Sequence, residues 1–444
     1  MLSSNNAITY EQAVDYLLDV PRFTTKNTVE DTRHFMEILG CPGYEKKIIH
    51  VAGTNGKGSV CAYLCSVLME AGSHVGMFTS PHLVDMTERF RIDGIPVDRE
   101  TFTHAFSLVM GRLEEAEASC GKKKYHPTFF ELLFFMGMVI FEKEDTDYII
   151  LETGLGGRLD ATNVVPHPAL TVITEIGLDH MQYLGDTIEQ IAGEKAGIIK
   201  KGVPVVFCDK RKEASEVIRK RAQYMGIPAF SVCAGDCCSV KLRNKSIDFS
   251  VHSRYYGYIS LTLSTKALYQ TENAVLALRC IEVLDEGRQI TAQQIADGIK
   301  KTVWEGRMEE ILPGVYIDGA HNEDGIEAFL QTVIGDGCTG RRYLLFAVAA
   351  DKNYGAMLKL MDREKLFDFA AVTKIAGGRA AALEQLRAVS ADFGAKQCAF
   401  YETAQEAFKV LLKMKKEEDC IYIAGSLYLA GEVKALVQRT AIND

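Results

Sequence analysis

The sequence predicts an α/β fold of two successive units, each built on a largely parallel sheet. Three observations predict it. Short apolar runs rich in Val, Ile and Leu recur along the chain, amphipathic stretches at helical spacing separate them, and the length is 444 residues. Strands alternating with helices are the pattern of a parallel sheet covered on both faces. A chain of that length exceeds what one hydrophobic core usually organises, so two domains are expected.

Residues 48–52 form a first short strand that stops at a glycine cluster, and residues 59–71 carry helical spacing up to Gly72. A second strand at 75–78 runs into Thr79-Ser80-Pro81, where proline prevents simple continuation. The strongest apolar run, 132–141, is about half the length that spans a bilayer, so it reads as a buried helix of a soluble protein. Further strands are predicted at 148–151, 170–174 and 203–207. Polar–apolar alternation over 231–263 predicts a small antiparallel sheet appended to the first unit. Helical spacing returns at 272–284 and 292–300. Strands at 315–317, 343–348, 369–373 and 421–423 mark a second alternating unit. The expected division is a first domain at 1–299, a linker at 300–307 and a second domain at 308–444.

Hydrophobic residues are 47% and charged residues 25% of the chain, an ordinary globular balance. The net charge of −9 argues against nucleic acid as the partner, because phosphate-backbone binding needs a cationic face. Any anionic substrate must meet local positive charge. The twelve cysteines are scattered, and the cluster Cys233, Cys237, Cys238 lacks zinc-site spacing, so reduced thiols in a cytoplasmic protein are expected. The first residues, MLSSNNAITYEQA, have neither the basic start nor the apolar core of a secretory signal.

Gly53-Thr54-Asn55-Gly56-Lys57-Gly58-Ser59 lies between a predicted strand and a predicted helix. Glycines let backbone N–H groups surround phosphate oxygens, the helix aims its positive end at the same anion, and Lys57 adds a point charge. Ser59 offers a hydroxyl to phosphate or metal. The loop departs from the general P-loop pattern, since Gly58 stands where Ser or Thr normally follows the lysine and the first glycine is shifted. Its context makes it an ATP-binding loop of a P-loop NTPase-like domain.

GTNGKGS, followed by Thr79-Ser80-Pro81-His82-Leu83, resembles the folylpolyglutamate synthase/dihydrofolate synthase branch of the Mur ligases. Thr128-Phe129-Phe130-Glu131, the long run Gly154-Leu155-Gly156-Gly157-Arg158-Leu159-Asp160-Ala161-Thr162-Asn163, Leu178-Asp179-His180, Glu194-Lys195-Ala196-Gly197, Asp318-Gly319-Ala320-His321-Asn322 and Gly425-Ser426-Leu427-Tyr428-Leu429 follow in the family's order. The resemblance covers the chain from about residue 50 onward. It implies an ATPase domain followed by a smaller Rossmann-like domain, with the active site between them. It also implies the reaction: ATP phosphorylates a folate carboxylate and the amine of L-glutamate attacks the acyl phosphate.

By resemblance, ATP, Mg2+ at two sites, a folate or dihydropteroate and L-glutamate are expected, and the chain is expected to be a monomer. Ser80, Glu152 and His180 would hold magnesium, joined by Lys195 as its carbamate, and Lys57, Glu152, His180 and Lys195 would carry catalysis. Glu152 ends an apolar strand at the carboxyl edge where ligands of open α/β sheets gather; from position alone it is equally a solvated glutamate. His180 taken singly reads as a turn or core histidine. Asn273 matches an adenine contact, although a helix cap is the other reading. Arg307 matches an arginine that reaches the phosphates and is otherwise a surface ion pair. Asp318 matches a nucleotide contact, and His321 stands in the same loop. Thr128, Phe129, Phe130, Glu131, Leu159, Asp160 and Ala161 match pteroate-contacting segments, with Phe129 and Phe130 also readable as core. Lys122-Lys123-Lys124 reads as a solvated loop or as an attractor for a glutamate tail.

Three other readings remain at this level: either folate activity alone, a cell-wall Mur ligase, or a nucleotide switch. Amino-acid-dependent ATP turnover separates the ligases from the switch.

Overall fold

The computed structural model describes residues 8–20, 27–120, 126–376, 380–389 and 397–443, so Lys122-Lys123-Lys124 lies outside the described residues. Eight strands form the large sheet: β1 (Lys47–Ala52), β2 (Val75–Phe78), β3 (Phe90–Ile92), β4 (Ile95–Pro96), β5 (Tyr148–Glu152), β6 (Leu170–Ile173), β7 (Val205–Cys208) and β8 (Ala229–Val232). Their order is β4-β3-β2-β5-β1-β6-β7-β8. β1 lies parallel to both β5 and β6, with Val51 opposite Glu152 and Ala52 opposite Ile173. Buried on both faces, these central strands are largely apolar, with His50 and Thr171 as buried polar exceptions, which is why they were legible. Their register places Gly53, Glu152 and Thr174 at one carboxyl edge. β3 and β4 add an antiparallel flap to the other strands.

The appended antiparallel sheet consists of β9 (Cys237–Leu242), β10 (Ile247–Ser253) and β11 (Gly257–Leu263), in the order β11-β10-β9. Sequence alternation started it too early, because Ser231 belongs to β8, a parallel edge strand of the large sheet. The buried residues Ile247, Phe249, Val251, Ile259, Leu261 and Leu263 join the helix Gln270–Leu284 in one core cluster.

The third sheet has β12 (Glu309–Leu312), β13 (Val315–Ile317), β14 (Arg342–Phe346), β15 (Phe369–Val372), β16 (Gln397–Phe400) and β17 (Cys420–Ala424), in the order β12-β13-β17-β14-β15-β16. β12 alone is antiparallel. β12 and β16 were not predicted from sequence. Both are edge strands, and none of their residues is buried, so neither shows the apolar run of a central strand.

The helix Phe129–Lys143 begins with a capping box: Thr128 Oγ1 accepts from Glu131 N, and the Glu131 carboxylate accepts from Thr128 N. Its buried face packs with Phe78, Phe90, Phe102 and Phe106. Among the described residues no helix is long and apolar enough to cross a membrane.

The helix Lys57–Glu70 leaves the phosphate loop and packs against Ala292–Lys301, where a Cβ on Gly298 would lie 2.6 Å from Val67 Cα. Backbone cannot yield as a side-chain tip does. Gly298→Ala is therefore expected to cost about 1–3 kcal/mol and to lower Tm in thermal unfolding; an unchanged Tm would show that the two helices part freely.

Candidate active site

Two neighbouring cavities open at the carboxyl edge of the large sheet. The first, of about 190 Å³, is lined by all of Gly53, Thr54, Asn55, Gly56, Lys57, Gly58 and Ser59. Ser80, Glu152, His180 and Lys195 line it from the large-sheet side, with Asn273 from the helix Gln270–Leu284. Arg307 enters from the segment between the helix Ala292–Lys301 and β12, and Asp318 and His321 from the loop after β13. The second cavity, of about 440 Å³, is lined by Thr128, Phe129, Phe130, Glu131, Leu159, Asp160 and Ala161. Ser80, Pro81, Gly154, Leu155, His180, His321 and Leu427 border both. Apart from Lys122-Lys123-Lys124, which lies outside the described residues, every residue singled out from sequence as a site candidate thus lies on one of two adjoining walls.

The loop's shape follows from its glycines. Gly53 has φ +155°, and a Cβ there would stand 1.8 Å from Thr174 Oγ1; Gly56 has φ +86°, and its Cβ would stand 2.3 Å from Asn273 Oδ1. The helix Lys57–Glu70 has no side-chain cap at Gly56, so its first N–H groups are left for a ligand. Thr54 N and Asn55 N both donate to Glu175 O, at 2.8 and 3.2 Å. Asn55 Oδ1 accepts from Asn322 Nδ2 at 2.9 Å, while the buried Asn55 Nδ2 has no protein partner. Ser59 Oγ accepts from Gln270 Nε2 at 3.1 Å. Asn273 is not a cap. It sits inside the first turn, donates to Gln270 Oε1 at 2.9 Å and faces the loop at Gly56.

Charges converge here without closing on one another. Lys57 Nζ donates to Thr54 O at 3.3 Å and stands 3.8 Å from Glu152 Oε1. Glu152, only 3% exposed, accepts from Ser80 N at 3.1 Å through Oε2. Burial raises its pKa, while Lys57, the Ser80 N–H, Arg307 and Arg89 pull it back. His180 adopts φ +50°, and burial lowers its pKa to about 4, leaving a neutral imidazole at neutral pH. Lys195 Nζ donates to Gly53 O at 2.7 Å, and burial followed by the charge of Lys57 lowers its pKa to about 7.

The glycine-rich run after β5 is shaped by close packing. A Cβ on Gly154 would meet the Phe130 ring at 2.6 Å, and one on Gly157 would meet Glu194 O and Lys195 O at 2.9 Å. Asp160 caps the short turn Ala161–Val164 and accepts from Leu155 N, Thr162 N and Thr162 Oγ1, so its carboxylate is largely engaged within the wall. Glu131 is similarly engaged, accepting from Asn27 Nδ2, Thr32 Oγ1 and Thr128 N. Phe129 packs in the core, whereas Phe130 is half-buried beside the cavity.

Asp179, whose place before His180 carried no role in the sequence, is the strut between the units in the structure. It accepts from His180 N at 2.7 Å and Asn322 Nδ2 at 3.2 Å, pairs with Lys352 and lies 3.3 Å from His321 Nε2. Burial opposes its charge, yet His321 and Lys352 hold its pKa well below the usual carboxylate range. His321 Nδ1 must carry a proton, because it lies 2.8 Å from Gly319 O, which only accepts. Tyr269 was also unassigned; its hydroxyl donates to Asp318 Oδ2 at 2.6 Å. Arg89, Tyr183, Lys352, Ser426 and Tyr428 also line the second cavity. Ser426 and Tyr428 lay in a quoted motif and so carried a signal, whereas Arg89 stands in no motif.

Residues 51–281 match the family description "Mur ligase middle domain", and residues 306–427 match "Mur ligase, glutamate ligase domain". A "Dihydrofolate synthase/folylpolyglutamate synthase" of Bacillus subtilis (strain 168) is 34% identical over 434 residues, spanning 96% of this chain and 98% of the relative. A Mycobacterium tuberculosis folylpolyglutamate synthase complexed with ADP aligns with TM-score 0.89 at 27% identity, over 96% of this chain and 98% of that one. E. coli FolC in complex with DHPP and ADP aligns with TM-score 0.85 at 27% identity, over 99% of this chain and 100% of that one. With both Mur ligase domains present in order around the shared cleft, this chain belongs to the folylpolyglutamate synthase/dihydrofolate synthase family of Mur ligases.

Proposed function

We propose that this chain is an ATP-dependent ligase that joins L-glutamate to the carboxylate of a folate, and also of dihydropteroate, through an acyl phosphate. The observation that carries this is the wall the two cavities share. A triphosphate in the phosphate-loop cavity and a pteroyl acid in the aromatic-lined cavity would meet at Ser80, His180 and His321. The relatives solved with ADP and with DHPP support the two occupants.

In this reading the N–H groups from Gly56 to Ser59 and the ammonium of Lys57 hold the phosphates, Gly53, Thr54 and Asn55 shape the loop around them, Asn273 meets the adenine, and Arg307, Asp318 and His321 complete the nucleotide site. The carboxylate oxygen attacks the γ-phosphorus, the bond from that phosphorus to the bridging oxygen breaks, and ADP leaves. The glutamate amine then attacks the acyl carbon, inorganic phosphate departs, and the nitrogen gives up its surplus protons. Lys57 and Arg307 offset negative charge that develops during the first step. Enclosure between the two units keeps water from taking the amine's place.

The residues present fit magnesium: Glu152, Ser80 and the neutral His180 line the phosphate-loop cavity and offer a sparse set of oxygen and imidazole donors. That suits an ion that keeps waters and takes phosphate oxygens. Bound there, magnesium would neutralise charge between phosphate and carboxylate. A second site uses Lys195 as its carbamate: the uncharged amine adds to carbon dioxide, an N–C bond forms and one proton is released. The chain is proposed to work as a monomer in the cytoplasm, where its free thiols stay reduced.

ADP release, followed in a coupled assay, is expected to require ATP, L-glutamate and either dihydropteroate or a reduced folate; turnover indifferent to both acid and amino acid would sink the ligase reading. Glu152→Gln is expected to lower kcat about 100-fold or more, by the scale of lost transition-state electrostatics, while ADP still binds by calorimetry. In an active preparation supplied with isotopically labelled bicarbonate, a carbamate carbon resonance is expected and should vanish in Lys195→Gln. An active wild-type enzyme without that resonance would remove Lys195 from the metal site.

A further inference from the structure

The chain has a single tryptophan, Trp304, in the segment that leads from the large-sheet unit to β12. Its indole lies against the phosphate loop: a Cβ built on Gly58 would stand 2.8 Å from Trp304 Cζ2 and 3.1 Å from its Nε1. Gly58 belongs to the helix Lys57–Glu70 and is not among the glycines of positive φ, so space rather than backbone freedom demands glycine here. This accounts for the loop's departure from the general pattern. A Ser or Thr after Lys57 would place its Cβ in the volume the indole occupies.

The ring is held from other sides as well. The Arg91 guanidinium of β3 stands 5.4 Å from the indole centroid and donates to Glu305 Oε2 at 2.9 Å. Glu305 also accepts from Lys434 of the final helix at 2.9 Å. Three residues beyond Trp304, Arg307 lines the nucleotide cavity.

We propose that Trp304 is a positioning residue for ATP: by packing on Gly58 it sets the spacing between phosphate loop and linker and so presents Arg307 to the phosphates. The proposal rests on the nucleotide reading of the cavity and deepens it, because the linker then senses whether the loop is filled.

The test titrates ADP into the full chain while following tryptophan emission and, separately, heat. The variants are Gly58→Ala, Trp304→Phe, Trp304→Ala and the double variant Gly58→Ala/Trp304→Ala, each checked for folding by thermal unfolding. Emission is expected to change with the midpoint that calorimetry gives. Gly58→Ala is expected to weaken ADP binding about tenfold, as overpacking of a tight contact would. Truncating the ring should restore part of that loss, so the double variant binds ADP more tightly than Gly58→Ala alone. Trp304→Phe should raise the KM for ATP less than Trp304→Ala, with the KM for the folate acid unchanged in both. Losses that simply add in the double variant, or emission unmoved by ADP that calorimetry shows to be bound, overturn the proposal alone. Wild-type protein that takes up no ADP overturns the nucleotide reading and the proposal with it. Should Trp304→Ala fail to fold, the Phe variant decides: equal KM rises for ATP and folate would mark a purely structural ring.

Discussion

Lys57 and Glu152 are both withdrawn from bulk water, face each other at 3.8 Å and do not close into a hydrogen-bonded pair. Two charges held in this way are costly, because burial penalises each and only good mutual geometry repays it. The surrounding groups reduce that cost: Thr54 O accepts from Lys57, and Ser80 N donates to Glu152. What remains is a space lined by opposite charges at the exit of β1 and β5. A triphosphate satisfies Lys57, and the proposed metal ion would satisfy Glu152. The positive-φ glycines Gly53 and Gly56 and the uncapped helix start serve the same arrangement.

The third sheet meets the first unit through a small apolar seam, where Ala267, Tyr269 and Leu83 pack on its core clusters, and through a set of polar contacts. Asp179 gathers His321, Asn322 and Lys352 from that side, and Tyr269 with Met308 N binds Asp318. Arg211 also pairs with Asp324 across the cleft. Contacts of this type re-form after separation more readily than an apolar interface would. A cleft that must admit two anions and an amino acid, then exclude water, is served by such an interface. The carboxylates of Asp160 and Glu131 play a quieter part. Both are largely engaged in fixing the wall of the second cavity, so recognition there falls to ring surfaces and backbone edges.

The central strands of both units were legible because residues buried on two faces leave largely apolar runs. Edge strands β12 and β16 and the flap β3–β4 were not, since partial exposure erases that signal. Among site residues, those inside glycine-rich runs could be found, as a glycine that a Cβ would overfill has no substitute. Arg89 and Lys352 could not, because a lone cation in a sequence looks like any solvated side chain until the fold encloses it. Asn273 shows the intermediate case: its segment was identified, but only the packing distinguished a loop-facing amide from a helix cap.

The sequence by itself determined the alternating architecture, the phosphate loop and its helix, and the family to which its ordered motifs point. These depend on local rules: periodicity, turn chemistry and the space that glycine leaves. The tertiary structure alone decided that residues as distant as Asn55 and Asn322 share a hydrogen bond, that Lys195 loses its hydration and that Trp304 fills the place beside Gly58. Hydration, charge coupling and steric fit are properties of what surrounds a group, and chain order does not specify those surroundings until the sheets have packed.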